Sequence, residues 1–273
     1  MKKLICLILA LLTVTMVFAG CGAKTSDKTD WDYIADKGEM IIGITYFAPM
    51  NYIDKETQEL IGFETEFAKA VCAKLGVSPK FQEIDWNAKE TELNAKNIDC
   101  IWNGMTIDDE RKANMDISIP YMRNRQVMIV KKENVAKYTT AESLKDAALV
   151  AEMKSAGEKV AQNDDFFAQA KYTAVDSQAK TLVEVKAGTA DIAVIDYIMA
   201  LGSIGEGTDY TDLAVVGDGS LSFGEPEFYG IAFRKNSPKT LEKINAAIKE
   251  LKKDGTLDTI AKKYKLQDYI VVE

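Results

Sequence analysis

Met40-Ile41-Ile42-Gly43-Ile44, then Phe47-Ala48-Pro49-Met50-Asn51-Tyr52, then Gly62 to Leu75 form the stretch on which the fold turns. The first run is short and apolar and predicts a strand. The second carries Pro and Asn and reads as the loop after it, with Asp54 to Glu59 as a hairpin-like turn. In the third, Phe63, Phe67, Ala70, Val71 and Leu75 recur at helical spacing, and Gly76 follows as a C-cap. Strand, loop and helix in that order open an α/β fold, in which ligands sit beyond the carboxyl ends of strands.

The same grammar continues outward. Ser78 to Glu83 predicts a strand and Asn87 to Ala95 a helix. Ile98-Asp99-Cys100-Ile101 predicts a short buried strand that opens into Trp102-Asn103-Gly104-Met105-Thr106, and Asp108 to Ala113 one or two helical turns. The Phe47 loop and the Trp102–Thr106 loop both lie at strand ends and are expected to share one mouth. A second unit follows: strands at Gln126–Val130, Ala147–Ala151, Tyr172–Ala174 and Asp191–Ile195, and helices opening at Ala141 and Ser177. Lys154-Ser155-Ala156-Gly157-Glu158 reads as a loop running into a helix start, whose N–H groups face the cleft. Asp196 stands at a strand end, where it also suits the N-cap of a helix from Tyr197 onward. Tyr229–Phe233 predicts a further strand, and Leu241–Lys252 and Leu257–Lys263 the closing helices. Ile98-Asp99-Cys100-Ile101 is echoed by Ala190-Asp191-Ile192-Ala193, which suggests two similar lobes.

The N-terminus points to export. Met1-Lys2-Lys3 precedes an apolar run from Leu4 to Phe18, a secretory pattern too short for a membrane span. Val17-Phe18-Ala19-Gly20-Cys21 resembles a bacterial lipobox, so residues 1–20 are expected to be a lipoprotein signal peptide and Cys21 the lipidated first residue. Residues 21–36 are expected to be a flexible tether, on the Lys, Ser, Thr and Asp content that starts at Gly22. Loss of Lys2 and Lys3 with the signal takes the formal charge from −8 to −10. An acidic chain without basic clusters argues against nucleic-acid binding. The chain has no histidine, which excludes His-based triads and His-ligated metals. Cys72 and Cys100 read as buried free thiols, and a disulfide between them stays open.

Several stretches in fixed order carry a resemblance. They are Leu60-Ile61-Gly62-Phe63-Glu64, Asn103-Gly104-Met105-Thr106-Ile107 with Glu110-Arg111, Ser118-Ile119-Pro120-Tyr121, Tyr229-Gly230-Ile231-Ala232, Asp254-Gly255-Thr256 and Lys262-Lys263-Tyr264. With these the chain resembles a family 3 extracellular solute-binding protein, a polar amino-acid receptor of an ABC importer, from about Met40 to Leu266. The resemblance implies a periplasmic binding protein-like type II fold: two α/β lobes joined by a two-strand hinge near Tyr121–Gln126 and Pro226–Gly230. Lobe one would comprise residues 37–124 and 229–273, and lobe two residues 125–228. It implies capture of a free amino acid in the cleft, a permease and an ATPase as partners, a monomer, and an anchored position on the extracytoplasmic face of the cell membrane. No cofactor or metal is implied.

It also implies a site. Arg111 would clamp the ligand carboxylate with its planar fork, helped by Thr106 and by close approach at Gly104. Ser155 and the N–H groups around Ala156 would complete the cage. The chain departs from the family pattern here: Lys154 stands at a usual glycine and Ala156 at a frequent threonine. Asp196 would take the ammonium group. Phe47 and Trp86 would form aromatic walls, with Trp102 and Asn103 along one of them. No Lys or Arg awaits a second carboxylate, and Glu152 is expected to read a cationic or amide-bearing side chain. Two alternatives stand beside this: an exported enzyme of cyclohexadienyl or arogenate dehydratase type on the same fold, and a non-transport amino-acid sensor. Catalysis wants a poised acid–base pair, and the sequence nominates none.

Overall fold

The computed structural model describes residues 29–273, so the signal peptide, Cys21 and the first part of the expected tether lie outside the described residues. In chain order the elements are α1 (Asp30–Lys37), β1 (Glu39–Ile44), β2 (Tyr52–Ile53), β3 (Leu60–Ile61), α2 (Phe63–Leu75), β4 (Ser78–Glu83), α3 (Lys89–Asn94), β5 (Cys100–Ile101), α4 (Asp109–Asn114) and β6 (Met115–Ile117). There follow β7 (Met122–Lys131), β8 (Ala148–Glu152), α5 (Ala156–Asn163), β9 (Lys171–Val175), α6 (Gln178–Ala187), β10 (Ile192–Asp196), α7 (Tyr197–Ser203), β11 (Leu213–Val215) and β12 (Phe223–Tyr229). The chain ends with β13 (Ala232–Arg234), α8 (Pro238–Lys253) and α9 (Thr256–Lys263).

Two mixed sheets form two α/β lobes, a type II periplasmic binding protein fold. The first has the order β4-β1-β5-β13-β6 and the second β11-β7-β10-β8-β9, with β12 paired to β7. Parallel pairing, the expected pattern, holds for β4-β1-β5 and for β10-β8-β9. The remaining ladder pairs are antiparallel. The chain leaves sheet one after β6 to enter β7, and returns from β12 to β13. These two passes lie side by side, with Met122 opposite Tyr229 and Asn124 opposite Glu227. Sheet one therefore takes strands from both ends of the chain, and sheet two from its middle.

The core is apolar on the faces the periodicity picks out. Phe63, Phe67, Val71 and Cys72 of α2 are buried, as are Ile244, Ile248 and Leu251 of α8. Gly76 closes α2 at φ +71, the left-handed conformation a C′ residue needs. Cys72 and Cys100 are both free and buried. Burial pushes the Cys72 thiol up to about 12 and the Cys100 thiol well above its ordinary value, so neither is a reactive thiolate.

Residues 30–36 depart from the expected tether. They form most of α1, started by a capping box between Thr29 and Asp32 and ended by Gly38 at φ +69. Trp31 and Ile34 are buried in the core of lobe one. Arg234 of β13 fastens the helix: its Nε donates to Asp30 Oδ1 at 2.9 Å and its Nη1 to the carbonyls of Leu93 and Ile98. The polar composition hid an amphipathic turn whose apolar side is only two residues wide. Among the described residues no helix is long and apolar enough to cross a membrane, and no acidic or sulfur cluster suits a metal ion.

Candidate functional site

The carboxyl end of β5 builds the first wall. Trp102 continues the strand, donating its N–H to Gly43 O at 3.1 Å. Its ring turns back into the core, edge-on to Phe67 with centroids 5.1 Å apart, and supports the loop from behind instead of lining a cavity. Asn103 pins the loop to the exit of β1: Oδ1 accepts from Thr45 N at 2.9 Å and from Asn51 Nδ2 at 3.0 Å, and Nδ2 donates to Thr45 Oγ1 at 2.6 Å. Gly104 follows at φ +54, and a Cβ there would stand 2.7 Å from Phe47 Cζ. Phe47 thus covers Gly104 as a second supporting ring and does not line the cavity described below. Gly104 N–H donates at 2.8 Å to Glu64, a buried carboxylate that also accepts from Tyr121 OH and from Asn51 Nδ2. Burial raises Glu64 to about 7 against those three donors.

Arg111 lies on α4, whose cap Asp108 accepts the Arg111 N–H at 2.8 Å. Its Nη1 donates to Thr106 O at 2.8 Å, which turns the guanidinium inward, and its Nη2 to Lys154 O across the cleft at 3.3 Å. The Thr106 hydroxyl donates to Glu227 at 3.2 Å. Trp86 completes this wall from a single 3-10 turn, buried, with no hydrogen-bond partner for its indole N–H.

The opposite wall comes from three parallel strand ends. β8 ends at Glu152. Ser155 then caps α5, accepting Glu158 N–H at 3.0 Å, and Ala156 begins that helix. β10 ends at Asp196, which occupies the N-cap position of α7 yet makes no cap bond. Its carboxylate accepts instead from Asn124, from Gln126 at 2.7 Å and from Gln178. Gln178 opens α6 just after β9 and was not anticipated. The available signal was positional: a helix starting behind a third parallel strand puts its first residue at the same sheet edge as Glu152 and Asp196.

A narrow cavity between the lobes is lined by Trp86, Asn103, Gly104, Thr106 and Arg111 on one side and by Glu152, Ser155, Ala156, Gln178 and Asp196 on the other. Of the expected site residues only Phe47 and Trp102 stand behind it. Its volume is about 10 Å³, so the two walls stand close together.

Charge is unbalanced there. Burial, reinforced by Asp196, pushes Glu152 up to about 8. Burial also raises Asp196, against its amide donors, and brings neighbouring Glu227 to about 7. Lys89, buried behind Trp86, is lowered to about 8 by desolvation and then by Arg111. The arrangement suits a small dipolar molecule: guanidinium and helix-start N–H groups for an anion, buried carboxylates for cations.

Residues 40–267 match the family model of bacterial extracellular solute-binding proteins, family 3. The chain is 28% identical to the L-cystine-binding protein TcyA of Bacillus subtilis (strain 168), over 97% of each chain. It is 28% identical to the arginine-binding extracellular protein ArtP of the same organism, over 97% of this chain and 98% of that one. Among solved structures, an ABC uptake transporter substrate-binding protein from Streptococcus pneumoniae with bound histidine superposes with a TM-score of 0.79 at 29% identity. That match covers 90% of this chain and 100% of the other.

Proposed function

The chain belongs to the bacterial extracellular solute-binding proteins, family 3, and from that premise we propose that it captures one amino acid between its lobes and delivers it to an ABC permease and ATPase. The observation that carries this reading is that Arg111 and Asp196, from opposite lobes, line one narrow cavity. Arg111 takes the α-carboxylate as a bidentate partner, with Ser155 and the N–H groups around Ala156 beside it. Asp196 takes the α-ammonium group. Trp86 packs on the ligand side chain.

A zwitterion uses one cation and one carboxylate of the site, which leaves Glu152 over. Glu152 therefore selects a cationic or amide-bearing side chain, because such a group supplies the further partner that a buried acid held only by the Gln178 backbone needs in order to ionise. Relatives named for cystine and for arginine, and one holding histidine, agree in binding an amino acid and differ in which. None of these three is named as an enzyme. Cys21 as the lipid anchor, the extracytoplasmic face of the membrane as the location and a monomeric state belong to the same proposal.

Calorimetric titration of the purified, ligand-stripped protein with the twenty amino acids, cystine and ornithine tests it. Micromolar or tighter binding of a few cationic or amide-bearing ligands is the expected result. Silence across the whole panel would refute the amino-acid assignment.

A further inference from the structure

The turn after β8 carries contacts that ligand capture does not need. Lys154 holds φ +57, in the left-handed region that a Cβ disfavours. Glu158 fixes the turn by accepting Lys154 N–H at 2.6 Å, and is itself held by Tyr172 OH at 2.6 Å. The carbonyl oxygen of Lys154 meets two cations of lobe one: Lys89 Nζ at 3.2 Å and Arg111 Nη2 at 3.3 Å. The Lys154 side chain crosses the other way, its Nζ donating to Asn87 O at 3.3 Å.

Lys89 is the unusual member. It is 3% exposed, and its ammonium lies 4.6 Å from the Trp86 ring centroid and donates to Trp86 O at 3.2 Å. A buried ammonium needs its donors satisfied, and one of these two acceptors belongs to the other lobe. Parting the lobes takes that acceptor away. The ion pair Lys55–Asp209, by contrast, joins side chains 81% and 69% exposed, where water and salt screen the attraction. A closed state held by surface charge alone would be loosely held.

Resting on the reading of the cleft as an amino-acid site, we infer that Lys89 and the Lys154 turn form a latch between the lobes that sets how long a captured ligand stays. Lys89 is a positioning residue: it stands behind Trp86 and acts through the Lys154 carbonyl. Such a latch is made as the lobes meet, with or without ligand, and with ligand bound it governs release more than association.

Stopped-flow tryptophan fluorescence, with Trp86 in the site, reads both rates. Lys89→Met keeps the stem and removes the donors, Lys89→Gln retains a neutral donor, and Lys154→Gly keeps the carbonyl in a backbone suited to positive φ. The ligand off-rate should rise about tenfold in Lys89→Met, the worth of one charge-assisted hydrogen bond, with the on-rate within about twofold. Lys89→Gln should fall between, and decides the matter if Lys89→Met does not fold. Lys154→Gly should change release little. An unchanged off-rate in the Lys89 variants, or a slower on-rate alone, would overturn the latch. If the unsubstituted protein bound no amino acid, the reading of the cleft would fall. Small-angle scattering of the ligand-free proteins would then decide the latch: a larger radius of gyration in Lys89→Met supports it, and identical curves sink it.

Discussion

The two walls of the cleft reach the same cavity with opposite chemistry. The wall from sheet one offers Arg111, steered by Thr106 O and capped by Asp108, with the Gly104 loop held by Glu64. The wall from sheet two offers Asp196 and Glu152, and Glu227 stands close by on β12. Asp196 is surrounded by three side-chain amides, while Glu152 has the Gln178 backbone and is pushed up by burial to about 8. On the proposed reading, capture of any amino acid falls mainly to the first wall and to Asp196, and choice among amino acids to Glu152. A site divided this way keeps a common grip while one residue changes what is gripped.

The largest break in that comparison is Arg111→Ala. Truncating one partner of a buried, hydrogen-bonded charge pair costs about 2–5 kcal/mol, so affinity for every ligand should fall about thirtyfold to a few thousandfold by calorimetry. A loss under about fivefold would place the carboxylate elsewhere. Glu152→Gln sharpens the contrast instead. Affinity for a cationic ligand should fall about tenfold to a hundredfold, the range for a hydrogen bond to a charged group, while a neutral amide ligand should bind within about threefold of the parent. Equal losses for both classes would take selectivity away from Glu152.

The smallest effect is with pH. In the ligand-free protein Glu152 keeps its proton up to about 8, whereas a cationic ligand favours the ionised form. Binding therefore releases protons below that value, and affinity should rise about threefold to tenfold between about pH 6 and 8, then level off. Titration in buffers of different ionisation heat reads the released protons directly. The ligand-free protein moves the other way. Its raised carboxyl adds stability below the ordinary value of 4.5 that is lost as pH rises through about 8, so its Tm should decline across that window. Glu152→Gln should flatten the affinity profile and make the Tm decline shallower, since Glu64 and Glu227 stay raised to about 7.

Much of the site was legible because it sits where strands end. Asp196 and Glu152 close apolar runs, and Arg111 follows a loop that leaves a buried strand. What stayed hidden depended on which way a ring or an amide turns. Trp102 begins the loop after β5, and its neighbours in sequence are equally compatible with a ring in the cleft or a ring in the core; packing against Phe67 decides. Phe47 faces Gly104 because only a residue without Cβ leaves room for the ring. Gln178 sits among polar neighbours that carry no pattern, and its role exists only once β8, β9 and β10 lie side by side. Trp31 and Ile34 were lost in a polar stretch because the residue that fastens their helix through Asp30, Arg234, comes from the far end of the chain.

The placement of β13 has a consequence for how the molecule is made. Residues 232–234 stand between β5 and β6 and are the link that joins β6 to the rest of its sheet. All of sheet two, from β7 to β12, lies earlier in the chain, within residues 122–229. During synthesis from the N-terminus, the second sheet can therefore be complete while the first still waits with β5 and β6 unjoined. Long-range pairing of this kind is slow and leaves strand edges open to other chains. A chaperone holding the nascent protein would have most to do at the first sheet, and for as long as residue 232 has yet to arrive.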